Sequence, residues 1–192
     1  MIETVVLAAG AGRRLGVVAK ATLVVAGETY LARIGRLSRE IGAAPPKVVV
    51  GRPHLDETAD EARRLGLEVV VNPEPERGMG SSVAVAFAHL VAFGSKSAAA
   101  LLWPVDHPMV RASTVRDLCA RVSPARVVIP VHAGRGGHPV LVGADLWPEL
   151  CRAGELPEGA RSVFRANPSR AVRIDVDDAG VTRDVDSPEQ LL

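Results

Sequence analysis

IETVVLAAGAGRRLGVVAK, residues 2–20, passes from an unbroken apolar run into a loop with several glycines, two adjacent arginines and, at its far side, a lysine. A buried strand feeding a glycine-rich turn lets main-chain N–H groups close around an anion, because glycine carries no Cβ to obstruct them. Arg14 offers a planar fork to phosphate oxygens, and Lys20 offers a point charge. Two familiar phosphate loops fail on spacing. After Gly10 and Gly12, the third glycine of a dinucleotide fingerprint falls where Leu15 stands. A Walker loop needs a lysine after Gly16, where Val17 stands. The competing reading is a plain glycine turn with solvated arginines.

Outward from this stretch, further β-branched apolar runs predict strands over 4–8, 47–50, 68–71, 99–105 and 126–131, with later ones at "VLVG" and over 172–176. Leu31, Ile34, Leu37 and Ile41 keep helical spacing, with Arg33, Arg36 and Arg39 on a solvated face. Leu55, Ala59, Ala62 and Leu65 make a second helix, stopped by Gly66. Val83, Phe87, Leu90 and Val91 make a third, entered through Ser81 or Ser82 as N-cap. The alternation of strand and helix predicts an α/β chain with three α/β/α layers and a mostly parallel sheet.

The bulk numbers exclude several classes. With 192 residues, 47% hydrophobic and 23% charged, the chain is expected to form one globular domain, 1–192. A net charge of +1 and 3% aromatics argue against nucleic-acid partners. No apolar run approaches the ~20 residues of a membrane span, and no targeting segment is evident, so a cytoplasmic protein is expected. Cys119 and Cys151 have no metal-like spacing and read as buried thiols.

An open parallel sheet binds its ligand beyond the carboxyl ends of its strands, and several polar residues fall there. The first loop follows the first strand, Asn72 follows 69–71, and Asp106 follows "LLWPV". Asp106, with Pro108 fixing the turn, is placed either to hold Mg²⁺ bridging triphosphate oxygens or to make an Asx turn. Gly78 and Gly80 bring backbone close to a ligand in "NPEPERGMGSS", and Ser81 and Ser82 open a helix; a capped loop is the alternative. "GRGGHPVL" reads equally as a hairpin turn. In "DVDSPEQ", Ser187 with Pro188 and Gln190 makes a capping box, which leaves Asp184 and Asp186 unexplained. No nucleophile–base pair is evident, which suits phosphoryl-type transfer, where positioning and charge matter most.

Taken together, these residues resemble nucleotidyltransferases with a Rossmann-like fold. "LAAGAGRRLG…K" is similar to their L-A-A-G-x-G/S-x-R-M-G-x-x-K signature. "NPEPERGMGSSV", "WPVDHPMV", "GRGGHPVL", "EGARSVF" and "DVDSPEQL" resemble, in order, further segments of the MobA-like NTP transferases. Within that family the chain looks most like the molybdenum cofactor cytidylyltransferases. Leu15 stands where the family has methionine, Lys20 lies one residue later than in the cytidylyl subgroup, as in the guanylyl relatives, and "KATLVV" lacks the family's proline.

The resemblance implies a nucleotide site made by Leu7, Ala8, Ala9, Gly10, Gly12, Arg14, Lys20, Asn72, Gly78, Gly80, Ser81 and Ser82. Arg14, Lys20 and Asp106 would be catalytic, Asp106 and Asp186 would hold Mg²⁺, and His138, Arg161 and Asp184 would face the acceptor. The nucleotide part would span about 1–110 and the acceptor part 111–192. The implied reaction moves CMP from CTP to molybdopterin with release of pyrophosphate, the product passing to an apo-molybdoenzyme. The alternatives are a guanylyltransferase, a sugar-phosphate nucleotidyltransferase and a nucleotide-binding module without catalysis.

Overall fold

The computed structural model describes residues 1–10 and 18–185. The opening apolar run forms β1 (Ile2–Leu7), buried from Glu3 onward. A tight hairpin of β2 (Val24–Val25) and β3 (Glu28–Thr29) leads into α1 (Tyr30–Glu40), where the Thr29 hydroxyl caps the helix by accepting from the Ala32 amide. Then come β4 (Lys47–Val50), α2 (Leu55–Arg64), β5 (Glu68–Val71), α3 (Met79–Ala92) and β6 (Ala99–Pro104). The remaining elements are α4 (Ala112–Cys119), β7 (Val127–His132), β8 (Arg135–Gly136), β9 (Val140–Gly143), α5 (Trp147–Leu150), α6 (Ala160–Ala166) and β10 (Ala171–Asp175), with short 3₁₀ turns between them.

Among the described residues, eight strands make one sheet in the order β10-β7-β9-β6-β1-β4-β5, with β8 paired to β7. β1 runs parallel to both β4 and β6, β4 to β5, and β10 to β7. β9 lies antiparallel between β6 and β7. The reason is local. Ala133 and Gly134 both take positive φ, 49° and 75°, and turn the chain straight back after β7. No crossover helix intervenes, so the following strand cannot run parallel. The sheet is therefore mostly parallel, as expected, with an antiparallel insertion.

Successive residues of β1 point to opposite faces, and each face has its own core. Val6 packs with Tyr30, Ile34, Val48, Trp103 and Leu118, under α1, α2 and α4. Val5 and Leu7 pack with Val49, Phe87, Leu102, Trp147 and Leu150, under α3, α5 and α6. These are the three layers. The expected solvated arginine face is only partly so. Arg36 pairs with Glu28 and Glu40, and Arg33 reaches Glu28 and donates to the Pro108 carbonyl at 2.7 Å. That last bond ties α1 to the turn beyond β6.

At the amino end of β1, the Glu3 side chain sits 2.7 Å from Lys47 Nζ, 2.6 Å from Ser95 Oγ and 3.1 Å from Ser97 Oγ. Burial pushes this carboxyl up, but the hydrogen bonds from Lys47, Ser95 and Ser97 outweigh it and hold the group below its ordinary 4.5. Replacing Glu3→Gln should lower the unfolding free energy by about 1–3 kcal/mol at pH 7 in urea titrations. The native carboxyl binds its proton more weakly than the unfolded one. The wild-type advantage should therefore be full above the unfolded value and vanish as pH falls through the depressed native one.

Candidate active site

The chain runs from β1 to β4 and β5 on one side, then returns to place β6 on the other side of β1. Ligands of open α/β sheets lie in the crevice made by such a reversal, outside the carboxyl ends of the strands. A cavity of about 710 Å³ occupies that position. Its near end is formed by Leu7, Ala8, Ala9, Gly10, Lys20, Val105 and Asp106. Its far end, past β4 and β5, is formed by Arg52, Pro53, Pro75, Glu76, Gly78, Met79 and Ser82.

At the near end, the Ala8 amide donates to Val49 O at 2.9 Å and the Val105 amide to Leu7 O at 3.1 Å, so the β1 exit is held from both sides. Across it, Lys20 Nζ stands 3.1 Å from Asp106 Oδ2. The Asp106 carboxylate meets an ammonium from another element, not the amide an Asx turn would supply. Its turn is braced independently of any ligand. Trp103 Nε1 donates to His107 O at 3.0 Å, and the Val185 amide donates to Asp106 O at 2.8 Å. A partly exposed pair of this kind contributes at most about 1 kcal/mol to stability, so either partner is available to a stronger ligand. Gly12, Arg14 and Asp186 lie outside the described residues.

At the far end, one expectation is corrected. α3 begins at Met79, with Gly78 as its N-cap at φ 89°, so Ser81 and Ser82 stand in its first turn. The serines serve the preceding loop instead. Asn72 Nδ2 donates to Ser81 Oγ at 2.9 Å and to Ser82 Oγ at 3.0 Å, and Asn72 Oδ1 accepts from the Glu74 amide. Ser81 Oγ also lies 2.8 Å from Gly78 O. Gly80 packs so closely on Ala153 that an added Cβ would stand 2.7 Å from its carbonyl oxygen. Of the expected nucleoside residues, Gly78 and Ser82 line the cavity, Asn72 and Ser81 line a separate pocket of about 140 Å³, and Gly80 is packed against Ala153. The sequence reading missed Arg52, Pro53, Pro75, Glu76 and Met79. Arg52 follows the end of β4 by two residues, so the strand-end rule would have found it.

Beside Asp106 lies an imidazole pair. The His107 and His138 rings are 5.0 Å apart, and His107 Nδ1 is 3.4 Å from Gly180 O. Among the described residues, His138 Nδ1 is buried without a partner. Burial, helped by His107 and Arg161 against the pull of Asp106, lowers His138 to about 4. It is neutral at neutral pH. Asp184 is exposed and adjoins Val185, whose amide is bound to Asp106 O. His138, Arg161 and Asp184 are thus outside the main cavity lining. Burial pushes the Cys119 thiol up to about 11 and raises Cys151, so neither supplies a thiolate at neutral pH.

The donor chemistry of the near end fits a hard divalent cation. Asp106 offers carboxylate oxygen, and no group of three His, Cys, Asp or Glu among the described residues makes an all-protein cage. Mg²⁺ and similar ions are commonly held this way, by one or two carboxylates plus substrate phosphates and water.

Residues 4–172 match the MobA-like NTP transferase domain. Nicotine blue oxidoreductase of Paenarthrobacter nicotinovorans is 31% identical over 197 residues, covering 99% of this chain and 94% of that protein. Molybdenum cofactor guanylyltransferase of Acidiphilium cryptum is 36% identical over 150 residues, covering 77% of this chain and 67% of that protein. Among solved structures, Rv0371c of Mycobacterium tuberculosis is 27% identical at TM-score 0.78, covering 100% of this chain and 96% of that one. A manganese complex of that mycobacterial protein aligns at TM-score 0.69 with 23% identity, over 98% of this chain and 94% of that one.

The His138 environment generates a pH dependence of its own. Below its ordinary 6.5 the unfolded chain takes up a proton that the folded protein refuses until about 4. Wild-type melting temperature should therefore fall with pH across that window, and His138→Gln should fall less steeply. Parallel curves for the two proteins would contradict this environment.

Proposed function

Because the chain belongs to the MobA-like NTP transferase family and is a nucleotidyltransferase of that type, we propose that it transfers CMP from CTP to molybdopterin in the cytoplasm. The observation that supports this reading is the Lys20–Asp106 pair, 3.1 Å apart inside the cavity at the strand-order reversal. The pair gives one cation for polyphosphate and one carboxylate for a metal, side by side. Arg14, Gly10 and Gly12 are assigned to the same phosphate-binding role. Asp106, with Asp186, would hold Mg²⁺, which when bound would neutralise phosphate charge.

A phosphate oxygen of the acceptor forms a bond to the α-phosphorus. The bond from the α-phosphorus to its bridging oxygen breaks, and pyrophosphate leaves with that electron pair. Lys20 leaves Asp106 for the triphosphate and stabilises charge on the leaving group. The His107 imidazole and the neutral imidazole of His138, with Arg161 and Asp184, border the side from which the acceptor approaches; the last three belong to the acceptor part at 111–192. No protein base is needed, since the attacking phosphate is already ionised.

Two observations favour other readings. The 36% identity to a guanylyltransferase favours GTP in the same chemistry. The 31% identity to a named oxidoreductase across nearly the whole chain favours redox chemistry in the same cleft. One assay separates all three. Pyrophosphate release is followed with each of the four NTPs, with and without molybdopterin, beside oxidation of NADH and NADPH with a quinonoid dye. Acceptor-dependent pyrophosphate from CTP is expected. Release from GTP alone would move the assignment to guanylyl transfer, and nicotinamide oxidation without pyrophosphate would overturn the reading. Lys20→Ala and Asp106→Asn should each lower turnover by roughly 10²–10³-fold while unfolding at wild-type denaturant concentrations. Near-normal turnover in both would reject the assignment.

A further inference from the structure

The cavity is lined by four charged side chains among the described residues, Lys20, Arg52, Glu76 and Asp106. Lys20 and Asp106 bind each other at its near end. Arg52 and Glu76 are exposed, and neither makes a hydrogen bond or ion pair with a described residue. Charged side chains of a protein surface often stand free. These two stand on the wall of a cavity whose other end is already assigned to polyphosphate, Glu76 feeling the charge of neighbouring Arg77 without a hydrogen bond to it.

Their place follows from the strand order. The ends of β6, β1, β4 and β5 succeed one another along the crevice. At roughly 4.8 Å per strand, the loop after β5 begins about 14 Å from Asp106. A ribose and base extending from phosphates at β1 would point toward β4 and β5. Pro53, Pro75 and Met79 line that end and offer apolar surface to a flat ring. Its walls are also close-set, because a Cβ on Gly51 would meet Pro75 at 3.0 Å and Ala9 at 3.1 Å. Arg52 therefore leaves a junction where the β1, β4 and β5 loops touch.

We propose that Glu76 and Arg52 read the Watson–Crick edge of the nucleobase, and that the pair selects cytosine over uracil; this rests on the nucleotidyl-transfer reading above. Cytosine presents an amino donor beside two acceptors. A carboxylate accepts from the amino group, and a guanidinium donates to the ring nitrogen and carbonyl. Uracil replaces the amino group with a carbonyl oxygen, which leaves the Glu76 carboxylate facing another acceptor. A site built for a donor rejects the analogue lacking it more strongly than an apolar pocket rejects a missing methylene.

The test is calorimetric binding of the non-transferable α,β-methylene analogues of CTP and UTP, with inorganic tripolyphosphate as a probe of the near end alone. The wild type should prefer the CTP analogue at least about tenfold. Glu76→Gln carries an amide that both donates and accepts, so it should cut this preference at least fivefold, with tripolyphosphate binding unchanged. Arg52→Gln should weaken the CTP analogue about tenfold, also without affecting tripolyphosphate. An unchanged preference in Glu76→Gln overturns the inference while leaving the phosphate site standing. Equal weakening of tripolyphosphate by Arg52→Gln makes Arg52 a phosphate ligand and overturns it too. If tripolyphosphate does not bind the wild type, the underlying nucleotidyl-transfer reading fails instead.

Discussion

The site depends on one contact, the ammonium of Lys20 against the carboxylate of Asp106. The two residues are 86 positions apart in the chain and meet because β1 and β6 are parallel neighbours, with Leu7 beside Pro104. Everything that fixes this register also fixes the pair. The two-sided core holds β1 in the middle of the sheet. Arg33 and Trp103 brace the turn after β6, and the Val185 amide ties the chain's last described residue to Asp106. The contact contributes little to stability. Its significance is that opposite charges are held at one spot, each able to exchange its partner for a ligand.

Along the same crevice the chemistry changes by position. The near end combines glycine backbone, a lysine and a carboxylate, which suits phosphate and a hard cation. The far end combines prolines, a methionine and two exposed charges of opposite sign, which suits a flat polar ring. Behind Asp106, on the β9 side, a pair of imidazoles lies against the core, and one of them is kept neutral by its burial. In the proposed reaction, this sequence of environments orders donor nucleotide, metal and acceptor across three adjacent strand ends. Two unreactive thiols fit a mechanism without a covalent protein intermediate.

Much of the fold was legible because strands buried on both faces must be near-continuously apolar. The predicted run at 47–50 is β4 as observed, and the run at 68–71 is β5, apolar in sequence although it is an edge strand with Val71 exposed. Where a shorter signal decides, the sequence was quieter. The β2–β3 hairpin turns on Ala26 and Gly27, and alanine at φ 50° carries no turn signature. α4 buries only Thr114, Val115 and Leu118, too few for its period to stand out. The start of α3 was misplaced because serine is a preferred cap, yet both serines are engaged by Asn72. Lys20 and Asp106 were legible from their motifs, and the structure adds their contact. Arg52 belongs to no motif and Glu76 is an unspecified position within NPEPERGMGSSV, so only the strand order shows that the loops carrying them face one cavity.

If Lys20 and Asp106 are the two halves of a divided site, nucleotide and metal must help each other bind. Phosphates that draw Lys20 away free the carboxylate for the cation, and the coupling is reciprocal. The direct measurement is Mn²⁺ affinity, read by electron paramagnetic resonance, with and without the α,β-methylene analogue of CTP, in wild type and Lys20→Met. The account predicts that nucleotide tightens Mn²⁺ about tenfold or more in the wild type, and that Lys20→Met binds the bare ion more tightly than wild type does. Equal Mn²⁺ affinity under all four conditions would contradict it.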